Sequence, residues 1–234
     1  GMSAAYRHQA HKAMNHVMKS AVRNGLVPRN PVKEVTAPRG NKKERVIPDR
    51  DVVRRMISEA PDERCRTFVV LTAMTGLRIS EVLALRWKDV NFTTESITVW
   101  RGKGDKSRLV MLPESLAKQL RIWRKEQAKL RLAADWWSEE GDWIISTDIG
   151  TQMDPHNWRK KHFTPLRDSV APGVTPHGLR HAYATIMLEE GVPTKVVADQ
   201  LGHTSTRTTE DIYAHVTPRL RDAARDAVER GLGG

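Results

Sequence analysis

Residues 175–216 read TPHGLRHAYATIMLEEGVPTKVVADQLGHTSTRTTEDIYAHV. Thr175 followed by Pro176 is typical of a helix start, because a capping side chain is followed by proline at the first helical position. Gly191 and Pro193 predict where that helix ends. This helix and the segment after it contain most of the chemically informative residues, and the rest of the chain is interpreted around them.

The first predicted helix of this stretch has two distinct sides. At about 100° per residue, His177 and Arg180 fall close together, and His181 and Ala184 lie near them. The apolar residues fall on the opposite half: Leu179, Ala182, Tyr183 and Ile186. We therefore expect the helix to bury the apolar half and to expose His177 and Arg180 side by side. Helical neighbours three apart can bind one ligand together.

A second helix is predicted over residues 195–201, with Thr194 as its cap. Gly202 suits a left-handed helix end, so His203 is expected just past a rigid turn. Tyr213 follows ten residues later, next to an apolar neighbour and after polar residues.

Each of these residues, taken alone, is more typical of a structural role: a solvated helix face, a helix cap, a half-buried tyrosine. Together, a cation, two imidazoles and a phenol suit a phosphodiester and an attacking tyrosine better than a metal or an acyl group. His177 and His181 are four residues apart, but Arg180 would sit between them. We therefore expect no metal site and no cofactor.

The chain has 234 residues, which suffices for one large domain or for one domain with an appendage. No apolar run approaches the length of a membrane helix, so we expect a soluble protein without a membrane partner. The single cysteine, Cys65, cannot form an internal disulfide, which agrees with a reducing cytoplasm.

The formal net charge is +11, and the pI is about 10.0. Residues 1–50 contain 11 Lys or Arg against three Asp or Glu, a balance of +8 (11 − 3). Such a stretch is typical either of a solvated basic tail or of a segment that follows DNA phosphates. The total charge favours nucleic acid over a membrane as the partner.

The pattern along the chain predicts a mostly helical α+β fold. Helices are expected over residues 11–24, 67–75 and 155–167, from Asp49 through Ile57, from a Ser80 cap to Trp87, and from Pro113 onward. Residues 96–101 and 107–112 alternate and flank a Gly-Lys-Gly turn, which indicates an antiparallel β-hairpin. The prolines and basic residues at 28–40 are typical of a linker.

The chain resembles the tyrosine recombinases, or phage integrase family, over about residues 48–216. Residues 175–216 resemble the second signature box: His-x-x-Arg, then Gly-His, then Tyr. Residues 75–87, TGLRISEVLALRW, resemble the first box, and residues 102–108, GKGDKSR, resemble the hairpin lysine motif. The resemblance implies the family's catalytic-domain fold, and residues 11–38 resemble the end of its core-binding domain.

The resemblance also implies a role for each site residue. Arg78 and Arg180 would clamp the non-bridging phosphate oxygens. The spacing of Glu81, three residues after Arg78, suits either a residue that orients Arg78 or an acid with the ordinary role at a helix N-terminus. His177 and His203 would add donors or move protons. Tyr213 would attack to leave a 3′-phosphotyrosine, and Lys103 would protonate the departing 5′-oxygen, with Lys106 as the alternative. Neither a metal ion nor ATP is required.

We divide the chain into the end of a core-binding domain with a basic linker (1–45), a catalytic domain (46–217) and a C-terminal helix or tail (218–234). The tail is expected to pack either in cis or on a neighbouring protomer. We expect a catalytic fragment of a longer integrase, which is monomeric alone and binds DNA weakly and non-specifically.

For the full-length protein, the resemblance implies double-stranded DNA attachment sites, a homotetramer on DNA, and an excisionase or host DNA-bending protein as accessory partner. It also implies a prophage or mobile element in a bacterial cytoplasm. Two alternatives share part of the pattern: a topoisomerase-like relaxing enzyme, and a DNA-binding regulator with a vestigial site.

Overall fold

The computed structural model describes residues 2–36, 46–100 and 107–202. The chain divides into two compact units, Gly1–Glu44 and Arg45–Gly234. Among the helices of the described residues, none is both long enough and apolar enough to cross a membrane.

The first unit is built on helix α1, Ala4–Arg23. It starts earlier than the predicted residue 11, because the Ser3 hydroxyl accepts a hydrogen bond from the Tyr6 backbone N–H and caps it there. A 3₁₀ turn, Pro31–Glu34, follows. The Asn30 side chain donates to Asn15, and the carbonyl of Val35 is hydrogen-bonded to His11. Part of the predicted linker is therefore folded against α1.

The second unit is mostly helical. Its helices are α2 (Arg50–Ser58), α3 (Glu63–Thr75), α4 (Ile79–Val82), α5 (Glu114–Ala133), α6 (Pro155–Trp158), α7 (Thr164–Val170), α8 (Pro176–Glu189) and α9 (Thr194–Leu201). A three-stranded antiparallel sheet has the order β1 (Val90–Asn91), β2 (Ser96–Trp100), β3 (Ser107–Met111). The predicted α+β class, mostly helical with a small antiparallel sheet, is confirmed.

Helix α3 lies at the centre of this unit and packs against α2, α5 and α8. Its residue Phe68 is fully buried, with its ring 4.9 Å from that of Trp158 and 6.1 Å from that of Phe163. Leu116 and Leu120 of α5 are fully buried in the same core. Burial of these large side chains is the main stabilising term, and it makes α3 a rigid support for the residues that follow it.

The helix predicted from a Ser80 cap to Trp87 is much shorter in the structure. Arg78, not Ser80, is the N-cap residue of α4, and the helix ends at Val82. The chain then turns away, because the Leu85 carbonyl accepts from the Ile144 N–H and the Trp87 N–H donates to the Asp142 carbonyl. Pairing with residues 142–144 thus replaces the last turns of the predicted helix.

Residues 155–170 form one helical run that a π-helical turn, Arg159–Phe163, separates into α6 and α7. The prediction of a helix at this place is confirmed, and the run extends three residues further than expected. Such π turns are frequent at functional sites.

Helices α8 and α9 follow the predicted pattern closely. The Thr175 hydroxyl accepts a hydrogen bond from the Gly178 N–H and caps α8. Gly202 ends α9 in a left-handed conformation, with φ 66°. Thr194 was predicted as the cap of α9 and is instead its first residue, after Pro193.

Candidate active site

The joint between α3 and α4 presents the first predicted site residue. Gly76 ends α3 with φ +63°, a conformation that favours glycine. A Cβ at this position would lie 2.5 Å from the Leu201 side chain and 2.6 Å from that of Tyr183. Only glycine allows α8 and α9 to pack this closely on the joint, and the next helix begins directly after Arg78, its N-cap residue.

Arg78 is held by a carboxylate three residues further along α4. Glu81 accepts a hydrogen bond from the Arg78 backbone N–H at 2.9 Å and from its guanidinium Nη1 at 3.0 Å. The Arg78 side chain is nevertheless 44% exposed. The expectation that Glu81 orients Arg78 therefore has a direct geometric basis.

Glu81 also binds an arginine from the sheet. Arg108 on β3 donates Nη1 to Oε1 and Nη2 to Oε2 of Glu81, each at 2.9 Å. A third guanidinium, that of Arg180, lies 3.9 Å from Oε2. The Glu81 side chain is only 12% exposed. We call Arg78, Glu81, Arg108 and Arg180 the Glu81 cluster.

The Glu81 cluster is electrically unbalanced. Three guanidinium groups and one carboxylate give it a net charge of +2 (3 − 1). Burial works to raise the pKa of Glu81, but the hydrogen bonds and charges of Arg108 and Arg78 outweigh it and hold that pKa below its usual value. The carboxylate therefore stays ionised at neutral pH and leaves an excess of positive charge suited to an anion.

The sequence predicted that Arg180 lies on an exposed helix face, but the structure buries it. It is 3% exposed, and its guanidinium donates to the Gly76 carbonyl at 2.5 Å and to the Leu201 carbonyl at 2.8 Å. His181 and Ala184 are also buried, because α8 packs against both α3 and α9. Arg180 thus ties together the joint before Arg78 and the end of α9.

His177 lies in the first turn of α8 and is exposed, as predicted. Its ring is 4.4 Å from that of His181, edge to face. His177 and Arg78 line the same cleft of about 470 Å³, which Arg159 from the π turn also borders. Two predicted site residues from distant parts of the chain are therefore brought to one cavity.

Residues 48–219 match the sequence model of the phage integrase family. The chain belongs to the phage integrase family. The predicted resemblance is thereby confirmed over most of the chain.

Individual family members show how far the similarity extends. The tyrosine recombinase XerA of Thermococcus kodakarensis is 34% identical over 191 residues, covering 79% of this chain and 64% of that protein. A XerC-like tyrosine recombinase of Caldanaerobacter subterraneus subsp. tengcongensis is 28% identical over 250 residues, covering 91% of this chain and 64% of its own length. The chain thus spans less than two thirds of the length of either relative.

Two solved structures share this fold. The crystal structure of a XerA recombinase matches with a TM-score of 0.63 and 30% identity, covering 84% of this chain and 67% of that one. The Tn1549 transposon integrase in complex with circular intermediate DNA matches with a TM-score of 0.77 and 21% identity, covering 98% of this chain and 80% of that one. The second match shows the shared fold alone.

Three predicted site residues, Lys103, His203 and Tyr213, lie outside the described residues, as do the alternative Lys106 and the tail at 218–234. In the sequence, Lys103 and Lys106 fall between the end of β2 at Trp100 and the start of β3 at Ser107. His203 and Tyr213 follow α9, which ends at Leu201. Among the described residues, no group of three or more His, Cys, Asp or Glu side chains could hold a metal ion.

Two residues of this region were missed by the sequence reasoning. Arg108 is the last residue of the quoted GKGDKSR motif, and its place on a strand beside a lysine turn was a signal that it faces the site. Arg159 stands in a run of basic residues with Lys160 and Lys161. Nothing in the sequence distinguishes it from those neighbours, because only the fold brings it to the cleft.

Proposed function

We propose that this chain carries the catalytic site of a site-specific DNA recombinase that cuts and rejoins DNA through a covalent 3′-phosphotyrosine. The observation that supports this most strongly is the Glu81 cluster. It holds an exposed arginine in a defined orientation, at a cleft that also contains His177, with an excess of positive charge behind it.

The cleft suits a phosphodiester in the act of displacement. Negative charge builds on the non-bridging oxygens during attack, and pre-positioned guanidinium groups stabilise it without reorganising. Arg78 and His177 line the cleft and would contact those oxygens. Arg180 is buried and lies 3.9 Å from Glu81, so it would add positive charge behind Arg78, and it also fixes both the Gly76 joint and the end of α9.

We assign the remaining roles on the basis of family membership. The Tyr213 phenol gives up its proton to His177 or His203 as its oxygen attacks phosphorus. The bond from phosphorus to the 5′-oxygen breaks, and Lys103 supplies the proton that the leaving oxygen takes up. His203, like His177, would donate a hydrogen bond to the phosphate or transfer protons. In the reverse step a 5′-hydroxyl attacks the phosphotyrosine, so the bond energy is conserved and no ATP is needed.

Tyr213 is the best candidate among the three tyrosines of the chain. Tyr6 belongs to α1 in the other unit. Tyr183 is 8% exposed, and burial raises the pKa of its phenol, which makes it a poor nucleophile.

We further propose that the full-length protein acts on double-stranded attachment sites as a homotetramer, with an excisionase or a host DNA-bending protein as accessory partner. Its place would be the cytoplasm of a bacterial host, encoded by a prophage or another mobile element. The 234-residue chain alone would be monomeric.

Covalent capture tests the proposed function. The chain is incubated with nicked duplexes from a pool of randomised sequence, the mixture is denatured, and DNA that remains attached to protein is isolated and sequenced. We expect the wild-type chain to retain DNA and Tyr213→Phe to retain none. Tyr6→Phe, which changes an exposed tyrosine of the other unit, is the matched control and should behave as wild type.

Three outcomes would count against the proposal. If the wild-type chain captures no duplex, or if Tyr213→Phe still does, the phosphotyrosine mechanism is wrong. The captured sequence is also placed in supercoiled plasmids and tested with the full-length protein. If that protein relaxes the plasmid but does not exchange strands between two such sites, it is a topoisomerase-like relaxing enzyme instead.

A further inference from the structure

Arg108 is a buried arginine to which neither the sequence motifs nor the proposed chemistry assigns a function. Its side chain is 8% exposed and joins three elements. Nη1 and Nη2 bind the two oxygens of Glu81 on α4, and Nε donates to the Gln200 carbonyl on α9 at 3.0 Å. A single planar guanidinium on β3 therefore fixes the orientation of a carboxylate and the position of a helix end.

Gln200 adds a second link between the same elements. Its side-chain amide oxygen accepts from the Met111 N–H at 3.2 Å, and its NH₂ group approaches the Leu109 carbonyl at 3.5 Å. In this way α9 is bound to the backbone of β3, which lies at the edge of the described sheet. The next residue, Leu201, accepts a hydrogen bond from Arg180 through its carbonyl.

The competition for Glu81 explains why Arg108 matters to Arg78. Glu81 oxygens lie 3.0 Å from Arg78 Nη1 and 3.9 Å from Arg180 Nη1. Because Arg108 occupies both oxygens in a forked geometry, the carboxylate cannot rotate towards the buried Arg180. Without that fork, the attraction of the buried charge would draw Glu81 away from the exposed Arg78.

We propose that Arg108 is a positioning residue for the reaction, which acts by holding Glu81 so that Glu81 in turn holds Arg78 at the cleft. This inference rests on the proposed function. A lysine at position 108 would keep the charge but would lack the fork, since an ammonium group is a point charge without fixed donor directions.

The first test needs no DNA. NMR of the guanidinium groups of the 234-residue chain measures how fast the Arg78 guanidinium rotates, with its signals assigned by their absence in Arg78→Lys. We expect Arg108→Lys to speed this rotation by about tenfold or more, the effect of losing one charge-assisted hydrogen bond. Arg64→Lys is the matched control, because Arg64 is similarly buried (9% exposed) but pairs with Asp148.

The second test measures covalent capture in a single turnover on the duplex that the pool yields. We expect Arg108→Lys to lower the rate about 100-fold, as for a misplaced catalytic group, with DNA affinity changed by less than about threefold. Arg64→Lys should alter neither quantity. If Arg108 had only a structural role, Arg108→Lys would lower the melting temperature and the DNA affinity together with the capture rate.

A sulfur-substituted duplex distinguishes the role of Arg78 at the phosphate from the role of Lys103 at the leaving group. A 5′-bridging thiolate leaves without a proton, so it should restore the rate of Lys103→Ala but not that of Arg108→Lys. Rescue of Arg108→Lys by sulfur would show that the residue acts on the leaving group and would overturn the proposal. An unchanged Arg78 rotation in Arg108→Lys would also overturn it.

The two proposals fail in different ways. If the wild-type chain forms no adduct, the proposed function fails, while the NMR comparison still decides whether Arg108 orients Arg78. If Arg108→Lys does not fold, Arg108→Gln replaces it, because this variant leaves Glu81 in place but removes the forked guanidinium. Arg78 should again rotate faster there, and a wild-type rotation rate would contradict the inference.

Discussion

Charged side chains are held in two different ways in the unit that begins at Arg45. Around Glu81, one carboxylate contacts three arginines, two of them buried. Along α5, the pairs Glu114–Lys118 and Glu126–Lys129 link single exposed groups one turn apart. The distances are alike, 2.7 to 3.0 Å for the closest pairs of both kinds.

The two arrangements differ in how deeply the charged groups are buried and in how many arginines share one carboxylate. Water screens the α5 pairs and can replace either partner, so each contributes little. In the Glu81 cluster, removing one group leaves buried charge without compensation. The cluster is therefore a rigid arrangement of charge, which is the property that a phosphate-binding site requires.

Replacing Glu81 should have the largest effect on stability. We expect Glu81→Gln to lower the free energy of unfolding by about 3–5 kcal/mol, because Arg108 and Arg180 lose their counter-charge. Glu126→Gln on α5 should change it by less than about 0.5 kcal/mol. Urea denaturation of both variants measures the difference, and equal values would show that the cluster is no more than a surface ion pair.

Gly76 should be the next most sensitive position. A left-handed conformation for a non-glycine residue costs about 1–2 kcal/mol, and the contacts with Leu201 and Tyr183 add overpacking of about 1–3 kcal/mol. Gly191 has φ +78° but nothing within 4 Å of a Cβ. We expect Gly76→Ala to be less stable than Gly191→Ala in thermal denaturation; equal stabilities would contradict the close packing at the joint.

The stability contributed by Glu81 should depend on pH. Its pKa is lower in the folded protein than in the unfolded chain, so ionised Glu81 stabilises the fold. That contribution is complete above the unfolded carboxyl pKa of about 4.3, and it is lost as the pH falls through the lower folded value. The stability difference between wild type and Glu81→Gln should therefore shrink on acidification, and a constant difference would contradict this.

Arg159 should contribute a smaller, purely electrostatic effect. If it contacts a phosphate at the cleft, Arg159→Ala should reduce the slope of log Kd against log salt by about 1. Titrations of a labelled random-sequence duplex at several salt concentrations measure this. Arg131→Ala, which removes an arginine paired with Glu139 on the surface, is the control and should leave the slope unchanged.

Much of this architecture was accessible from sequence because its signals are local. Thr175 and Gly202 mark the helix ends through capping and backbone conformation, and both lie where predicted. The alternation of residues 96–101 and 107–112 predicted the antiparallel strands that the structure has at 96–100 and 107–111. These features depend on a few neighbouring residues, so periodicity and turn chemistry suffice.

Two errors arose where distant segments meet. The helical periodicity predicted Arg180 next to His177 on an exposed face, but α8 packs against both α3 and α9. Burial of the Arg180 guanidinium is tolerated because it donates hydrogen bonds to the carbonyls of Gly76 and Leu201. Helix α4 is short because residues 85–87 pair with 142–144. Neither fact is encoded within either segment alone. The proposed roles of Lys103, His203 and Tyr213 stay predictions.

The central claim is that the Glu81 cluster presents Arg78 to a phosphodiester that Tyr213 attacks. The most direct measurement is the single-turnover rate of covalent capture by Arg78→Ala, compared with Arg54→Ala, which removes an exposed arginine of α2. We predict a fall of about 100- to 1,000-fold for Arg78→Ala and a wild-type rate for Arg54→Ala. Capture by Arg78→Ala at the wild-type rate, with Tyr213→Phe inactive, would contradict the claim.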